Sequence, residues 1–236
     1  MARTKMTRHE LKEQDEITTS LEKFVEFAYT RKQELIIGGV AVVVIFLAVF
    51  GWSYYRTSRN NKAQLQLAQV FRAYDDPLKP DKERFETTIA EAQKTVDAYG
   101  SLPAGAIAQY YIGLSQEGLG DTTKATQSLQ TAIDRGDSTI KGAAQFALAG
   151  IHKKHGEAPK AIEIYKQLYD SGNYSKAAVA YELAGLYEST DQPNQARDYY
   201  QKIVTDFPDS PFRQMADDAL KRMGVTVAPA PAQKPS

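Results

Sequence analysis

Twenty-one consecutive residues near the N-terminus carry no charge, and this stretch constrains the fold more than any other feature. It runs from Leu35 to Tyr55 and reads LIIGGVAVVVIFLAVFGWSYY. A helix of that length extends roughly 32 Å at about 1.5 Å per residue, close to the thickness of a bilayer's hydrocarbon core. Trp52 and Tyr54 stand at its C-terminal end, where amphipathic rings favour the headgroup layer. The sequence predicts a transmembrane helix over residues 35–55.

Two other interpretations of this stretch are a buried core element and a cleaved signal peptide. A core element rarely needs such a length without charge. The stretch begins late for a signal peptide, and no A-x-A motif follows it directly. We therefore expect a retained signal anchor. The flanking lysines and arginines leave its orientation nearly undecided, and the basic residues of the first 12 positions favour a cytoplasmic N-terminus.

The composition excludes several classes of protein. Lys plus Arg and Asp plus Glu both number 29, so the net charge is zero, which excludes a nucleic-acid binder acting through bulk positive charge. The chain has no cysteine, which excludes a disulfide scaffold, a cysteine-ligated metal and a thiol nucleophile. Residues 63–224 hold 18 Lys plus Arg against 22 Asp plus Glu, which disfavours nucleic acid and anionic membrane surfaces as partners.

The two ends of the chain differ from the rest. Residues 1–34 are rich in charge of both signs, and Leu21, Phe24, Val25 and Ala28 fall there at helical spacing. This pattern favours either a short amphipathic helix at the membrane face or a solvated tail. Residues 224–236 are rich in Pro and Ala and are expected to be disordered.

Three segments of the remaining sequence align with one another, beginning at Ala106, Gly142 and Ala177. Each contains two helix-like stretches separated by a break, and each stretch carries an aligned small residue. On the first stretch these are Gly113, Ala149 and Ala184, and on the second Ala125, Ala161 and Ala196. The spacings along the second set are 36 and 35 residues. Self-similarity at such a period is typical of a helical solenoid.

These segments resemble the tetratricopeptide repeat, a family in which paired helices touch at small residues. The third segment carries the most pattern positions, namely Leu183, Ala184, Tyr187, Ala196, Tyr200 and Pro208. The resemblance covers residues 104–208 and implies an all-α solenoid of about three to four helix pairs following the transmembrane helix. Residues 58–99 are expected to form a degenerate N-terminal helix pair, and residues 104–223 the repeats with a capping helix.

An aromatic residue recurs at one aligned position of each repeat. The resemblance implies that this position, and those one and two turns later, face a concave groove. The candidate residues, which we call the groove face, are Tyr110, Leu114, Phe146, Gly150, Lys153, Tyr181, Gly185 and Glu188. We expect them to bind an apolar or extended peptide, and the alternative is that the rings fill gaps between stacked repeats. Because these positions are not consistently basic, the family's carboxylate-gripping clamp is not expected.

The sequence shows no pattern of an enzyme site. The motifs of zinc proteases, serine hydrolases and phosphate-binding loops are not found in it. His152 and His155 could supply two metal ligands from one helix face, with a third from Glu157 or another helix. Exposed residues near a helix C-terminus, where positive charge is favoured, are the preferred interpretation. We expect no catalysis, no cofactor and no metal.

The layout of the whole chain resembles the YfgM-type ancillary subunits of the bacterial Sec translocon. The distinctive residues are Phe24 to Arg31 before the apolar stretch, and Gly51 and Trp52 with Tyr54 and Tyr55 at its end. The resemblance spans residues 15–223 and implies a single-pass inner-membrane protein with a cytoplasmic N-terminus and a periplasmic repeat domain. It implies translocon subunits, a periplasmic chaperone or a translocating polypeptide as partners. The alternative is a tetratricopeptide adaptor of envelope assembly or cell division.

Overall fold

The computed structural model describes residues 30–225, and every regular element within that range is a helix. The expectations for residues 1–29 and 226–236 lie outside the described residues. The helices are α1 (Lys32–Tyr74), α2 (Asp81–Tyr99), α3 (Pro103–Gly118), α4 (Thr122–Arg135), α5 (Ser138–Lys154), α6 (Ala158–Ser171), α7 (Lys176–Ser189), α8 (Pro193–Asp206) and α9 (Arg213–Arg222). The predicted all-α class is confirmed. The chain divides into one unit that ends at Ser58 and a second that begins at Arg59.

The first unit contains the apolar part of α1. The large apolar side chains from Ile36 to Tyr55 are 56% to 73% exposed. The most apolar 18 residues of α1 have a mean hydropathy of 2.7, and none of them is buried. By length and composition this helix is apolar enough to cross a membrane.

Helix α1 continues from the apolar stretch without interruption and ends at Tyr74. The sequence predicted a transmembrane helix at 35–55 and a separate helix pair that begins at residue 58. No glycine or proline occurs between Trp52 and Tyr74, and the polar residues after Tyr55 are compatible with a helix. The helix therefore joins the apolar stretch to the first helix of the expected pair.

The second unit is a stack of helix pairs. The part of α1 from Arg59 onward and α2 pack with α3 around a core that includes Leu67, Val70 and Ile112. The pairs α3–α4, α5–α6 and α7–α8 follow, and α9 packs against α8. The largest core extends from Ala149 in α5 to Leu220 in α9. Each pair thus buries its apolar surface against its neighbours, as in a solenoid.

Within each pair the two helices approach closely at the aligned small residues. The alanines at these positions in α4 to α8 are fully buried: Ala125, Ala149, Ala161, Ala184 and Ala196. A Cβ atom on Gly113 in α3 would lie 2.7 Å from Cγ of Leu129 in α4. A larger side chain at these positions would therefore push the paired helices apart.

The turns within the pairs share one residue with a positive φ angle. Gly120, Gly156 and Asp191 adopt φ values of 82°, 74° and 55° at aligned positions. Glycine accepts this left-handed conformation without steric cost, and aspartate is among the other residues that tolerate it. The carboxylate of Asp121 then accepts a hydrogen bond from the amide of Lys124 and caps α4.

Replacing Gly113 by Ala should destabilise the repeat domain, and replacing Gly185 by Ala should stabilise it. No heavy atom of the described residues lies within 4 Å of a Cβ placed on Gly185. Alanine there should gain about 0.5–1 kcal/mol of helix propensity without a clash. At Gly113 the contact with Leu129 should exceed that gain.

The measurement is thermal unfolding of the full chain, followed by circular dichroism at 222 nm. The two variants should change the melting temperature in opposite directions. Equal melting temperatures for Gly113→Ala and Gly185→Ala would contradict the assigned helix contact.

Candidate protein-interaction groove

The aromatic residues of the groove face are half-buried and pack on one side against neighbouring rings. Phe146 stacks on Tyr174 with a centroid distance of 4.4 Å and meets Tyr165 edge-on at 5.3 Å. Tyr181 repeats the arrangement one pair later, with Phe212 at 5.3 Å and Tyr200 at 6.1 Å. Each ring therefore bridges its own helix pair and the start of the next one.

Tyr110 occupies the equivalent position in α3. Its ring meets Tyr111 edge-on at 5.4 Å and packs against the core that contains Leu129. Burial is the main cause that raises the pKa of Tyr110 to about 12, and the neighbouring tyrosines Tyr174, Tyr111 and Tyr74 contribute further.

The two glycines of the groove face lie in open positions. A Cβ atom on Gly150 would meet only the Tyr165 hydroxyl, at 3.8 Å, and Gly185 has still more space. Helix packing within the described residues therefore does not demand a glycine at either position. A glycine inside a helix costs about 0.5–1 kcal/mol of stability relative to alanine. At both positions the missing side chain also leaves the helix backbone accessible.

Charged groups link the first helices of successive pairs. Nζ of Lys154 in α5 lies 2.6 Å from Oε1 of Glu117 in α3. Nζ of Lys153, the adjacent residue, lies 2.7 Å from Oε2 of Glu182 in α7. The two neighbouring lysines therefore form ion pairs on opposite sides of α5.

Glu188, at the end of the groove face, is also engaged. The hydroxyl of Tyr200 donates a hydrogen bond to its carboxylate across 3.0 Å. The pKa of Tyr200 is raised, first by burial and then by this carboxylate, which disfavours the tyrosinate.

A cleft of about 220 Å³ lies between α3 and α5. Its walls are Tyr74, Leu114, Glu117, Ala147, Gly150, Ile151 and Lys154. The ion pair between Glu117 and Lys154 is part of this wall, and the remaining lining is mostly apolar. The cleft is smaller than the roughly 300–1,000 Å³ typical of small-molecule sites.

Two residues of the predicted groove face, Leu114 and Gly150, line this cleft. The prediction did not include Tyr74, Ala147, Ile151 and Lys154, which also line it. Ile151 and Lys154 directly follow Gly150 and Lys153 of the groove face, so including the next residue at each aligned position of α5 would have identified them. Tyr74 precedes the aligned repeats, and sequence alignment gives no signal for it.

His152 in α5 and His155, the residue that follows this helix, form local contacts. Nδ1 of His152 lies 2.5 Å from Oε2 of Glu157, and Nε2 of His155 lies 3.1 Å from the Thr122 hydroxyl. The pKa of Glu157 is lowered, mainly by its hydrogen bond to His152 and then by that to Lys160. Among residues 30–225, no group of three or more His, Cys, Asp or Glu side chains is arranged to hold a metal ion.

Residues 29–222 match the model of a protein family described as the tetratricopeptide repeat-like domain. The chain belongs to this family. The predicted tetratricopeptide fold is thereby confirmed, and a fold of this kind supports a protein-interaction module. No curated protein matches the sequence.

Several solved structures share the fold at low sequence identity. The MamA protein is 18% identical, with a TM-score of 0.50 over 73% of this chain and 82% of MamA. TPR-like repeats of a Podosopora anserina kinesin light chain are 16% identical, with a TM-score of 0.54 over 69% of this chain and 87% of that one. A single-residue variant of the latter gives a TM-score of 0.53. Identities this low support the fold alone.

The ion pair between Glu117 and Lys154 should couple the first two tetratricopeptide pairs. The side chain of Glu117 is 16% exposed and that of Lys154 is 65% exposed, so solvent screens the pair in part. A double-mutant cycle with Glu117→Gln and Lys154→Met, read by urea unfolding, should give a coupling free energy of about 0.5–1 kcal/mol. The coupling should shrink in 1 M NaCl. A coupling that is absent at low salt would contradict the ion pair.

Tyr110 should make the tetratricopeptide domain less stable at alkaline pH. The unfolded tyrosine has a pKa near 10, whereas the folded one has a pKa of about 12. Between these values the unfolded state binds fewer protons, so the free energy of unfolding falls as the pH rises above 10. Tyr110→Phe removes this ionisation and should gain stability relative to wild type between pH 8 and pH 11.

The measurement is the melting temperature of wild type and of Tyr110→Phe, each at pH 8 and at pH 11. Tyr54→Phe serves as the control, because Tyr54 is 73% exposed in the apolar part of α1. A difference between Tyr110→Phe and wild type that is the same at both pH values would contradict the burial of this hydroxyl.

Proposed function

We propose that the protein is a membrane-anchored, non-enzymatic scaffold for protein interactions. Residues 35–55 anchor it in the bacterial inner membrane, with the N-terminus in the cytoplasm and the repeat domain in the periplasm. The apolar part of α1, in which no residue of the most apolar window is buried, supports the anchor, because such a surface is stable in lipid and not in water. The basic residues at the N-terminus support the orientation.

The groove face is the surface that we assign to partner binding. The single observation that carries this assignment is the cleft between α3 and α5, whose lining is mostly apolar. The accessible backbone at Gly150 and Gly185 extends this surface toward α7. In the tetratricopeptide family, folds of this kind serve protein interaction, which supports the same assignment.

The finer proposal is that the protein is an accessory subunit of the Sec translocon that links it to periplasmic chaperones. Its support is the resemblance of residues 15–223 to the YfgM-type subunits, carried by Gly51, Trp52, Tyr54 and Tyr55. The partners would be translocon subunits, a chaperone or a translocating polypeptide. An adaptor of envelope assembly or cell division is the alternative, and the identity of crosslinked partners distinguishes the two.

Protease treatment of intact spheroplasts tests the anchor and its orientation. The repeat domain should be digested from outside, while an epitope tag at the N-terminus remains protected until the membrane is lysed. Alkaline carbonate should leave the full chain in the membrane pellet. Protection of the repeat domain, or its release by carbonate, would contradict the proposed topology.

Site-specific photocrosslinking in membranes tests the groove face. A photoreactive phenylalanine at Gly185, in the open position on α7, should crosslink to partner proteins. The same residue at Ala90, an exposed position on α2, is the control. Translocon subunits or chaperones among the products would support the finer proposal, and envelope-assembly or division proteins would support the alternative. Equal crosslinking from both positions would contradict a groove-specific role.

A further inference from the structure

Two ion pairs lie at or beside the groove face. Lys153 and Lys154 diverge from α5 and meet Glu182 and Glu117 at 2.7 Å and 2.6 Å. The two carboxylates are the less exposed partners, at 26% and 16%. Two positive and two negative charges cancel across three neighbouring helices. A charged ligand group that binds to any of these four side chains would therefore have to separate an existing pair.

The groove face itself contains one acidic residue, Glu188. The carboxylate of Glu188 accepts a hydrogen bond from the hydroxyl of the buried Tyr200. A ligand carboxylate beside Lys153 and Lys154 would meet lysines that already form pairs with Glu182 and Glu117. Those two carboxylates would repel it, and the repulsion increases as water is excluded from the groove.

The cleft beside these pairs accommodates an apolar side chain. Leu114, Ala147 and Ile151 form its apolar walls, and its volume of about 220 Å³ is adequate for a leucine-sized group. A drug-sized ligand needs roughly 300–1,000 Å³. The space is thus suited to one part of a longer molecule that continues along the groove.

The glycines show how that molecule would approach. Gly150 lines the cleft, and Gly185 lies one repeat further along the same face. The missing side chains allow a partner's main chain to lie close to α5 and α7. An extended polypeptide places successive side chains on alternate sides, so it can insert one into the cleft while its backbone passes the glycines.

We infer that the groove binds an internal, extended and uncharged polypeptide segment, with an aliphatic side chain in the cleft between α3 and α5. The groove does not recognise a free C-terminal carboxylate. This inference rests on the proposed function, because it names the kind of partner that the scaffold would hold. The observation that decides the chemistry is charge complementarity: a neutral segment leaves both inter-repeat ion pairs intact.

Fluorescence anisotropy with synthetic peptides tests this preference on the full chain in nanodiscs, with empty nanodiscs as the background. The reference probe is a blocked 12-residue peptide of Ser and Gly with three spaced leucines. Matched peptides replace two serines by Asp, replace two serines by Lys, or leave the C-terminus as a free carboxylate. The reference should bind at least fivefold more tightly than the Asp and Lys peptides, and the free carboxylate should not strengthen binding. A fivefold gain for the free carboxylate or for the Asp peptide would overturn the inference.

Two variants locate the binding. Gly150→Leu fills the cleft and should weaken binding of the reference peptide at least tenfold. Ala90→Leu, a matched change on the exposed side of α2, should leave it unchanged. Circular dichroism shows whether each variant is folded. If folded Gly150→Leu binds as tightly as wild type, the cleft is not the site and the inference fails.

A third variant tests the role of the ion pairs directly. Lys154→Gln removes the ion pair of Glu117 at the cleft and leaves its hydrogen bond from the Thr122 hydroxyl, so it should strengthen binding of the Lys peptide at least fivefold relative to the reference. An unchanged ratio would overturn the argument from charge complementarity.

The experiments distinguish failure of the inferred peptide preference from failure of the proposed scaffold function. Specific crosslinks from Gly185 in membranes, together with carboxylate-dependent peptide binding, would overturn only the inference about the ligand. Absence of groove-specific crosslinks, together with binding of the neutral peptide, would count against the proposed membrane scaffold and leave the peptide preference standing.

Discussion

The close contact between the two helices of each pair is the interaction on which the rest of the repeat domain depends. It requires a very small residue on each helix, such as Ala149 against Ala161 and Ala184 against Ala196, all fully buried. Close contact at one point leaves volume to fill beside it, and the neighbouring turn of the second helix supplies a large side chain for that purpose. Tyr165 and Tyr200 are these side chains, and both are buried.

These tyrosines connect the core to the groove face. Each contacts the aromatic residue of the first helix, Phe146 or Tyr181, and each hydroxyl reaches toward the groove. The Tyr200 hydroxyl ends on Glu188, and the Tyr165 hydroxyl is the nearest group to the open position above Gly150. Core packing and groove chemistry therefore involve the same residues, so substitutions in the core would also alter the partner surface.

Much of the fold could be predicted from the sequence because it is determined by local and periodic features. The aligned small residues, the breaks at Gly120 and Gly156, and the uncharged stretch all act within one helix or one turn, where spacing is enough to identify them. The continuity of α1 was less predictable, since a change from apolar to polar residues resembles an element boundary. The deciding factor was that neither glycine nor proline occurs after Gly51 in this helix.

The candidate site was less predictable, because it depends on how successive pairs are rotated. Glu117 and Lys153 are equivalent positions of successive repeats, but the ion-pair partner of Glu117 is the adjacent residue, Lys154. Adjacent residues on a helix differ by about 100° in direction, so a modest rotation between pairs decides which of the two lysines reaches which neighbour. Tyr74 entered the cleft wall for a similar reason: it lies outside the repeats in sequence and joins them only in three dimensions.

Two parts of the chain avoid unbalanced charge in physically different ways. In the apolar part of α1 charge is omitted from the sequence, and that arrangement can be recognised by inspection of 21 residues. On the groove face charge is present and is cancelled between α3, α5 and α7 by pairs separated by 29 and 37 positions in the sequence. The first arrangement suits a surface that never meets water-soluble groups. The second balances charge only while neighbouring helix pairs keep their spacing, because each ion pair joins two of them.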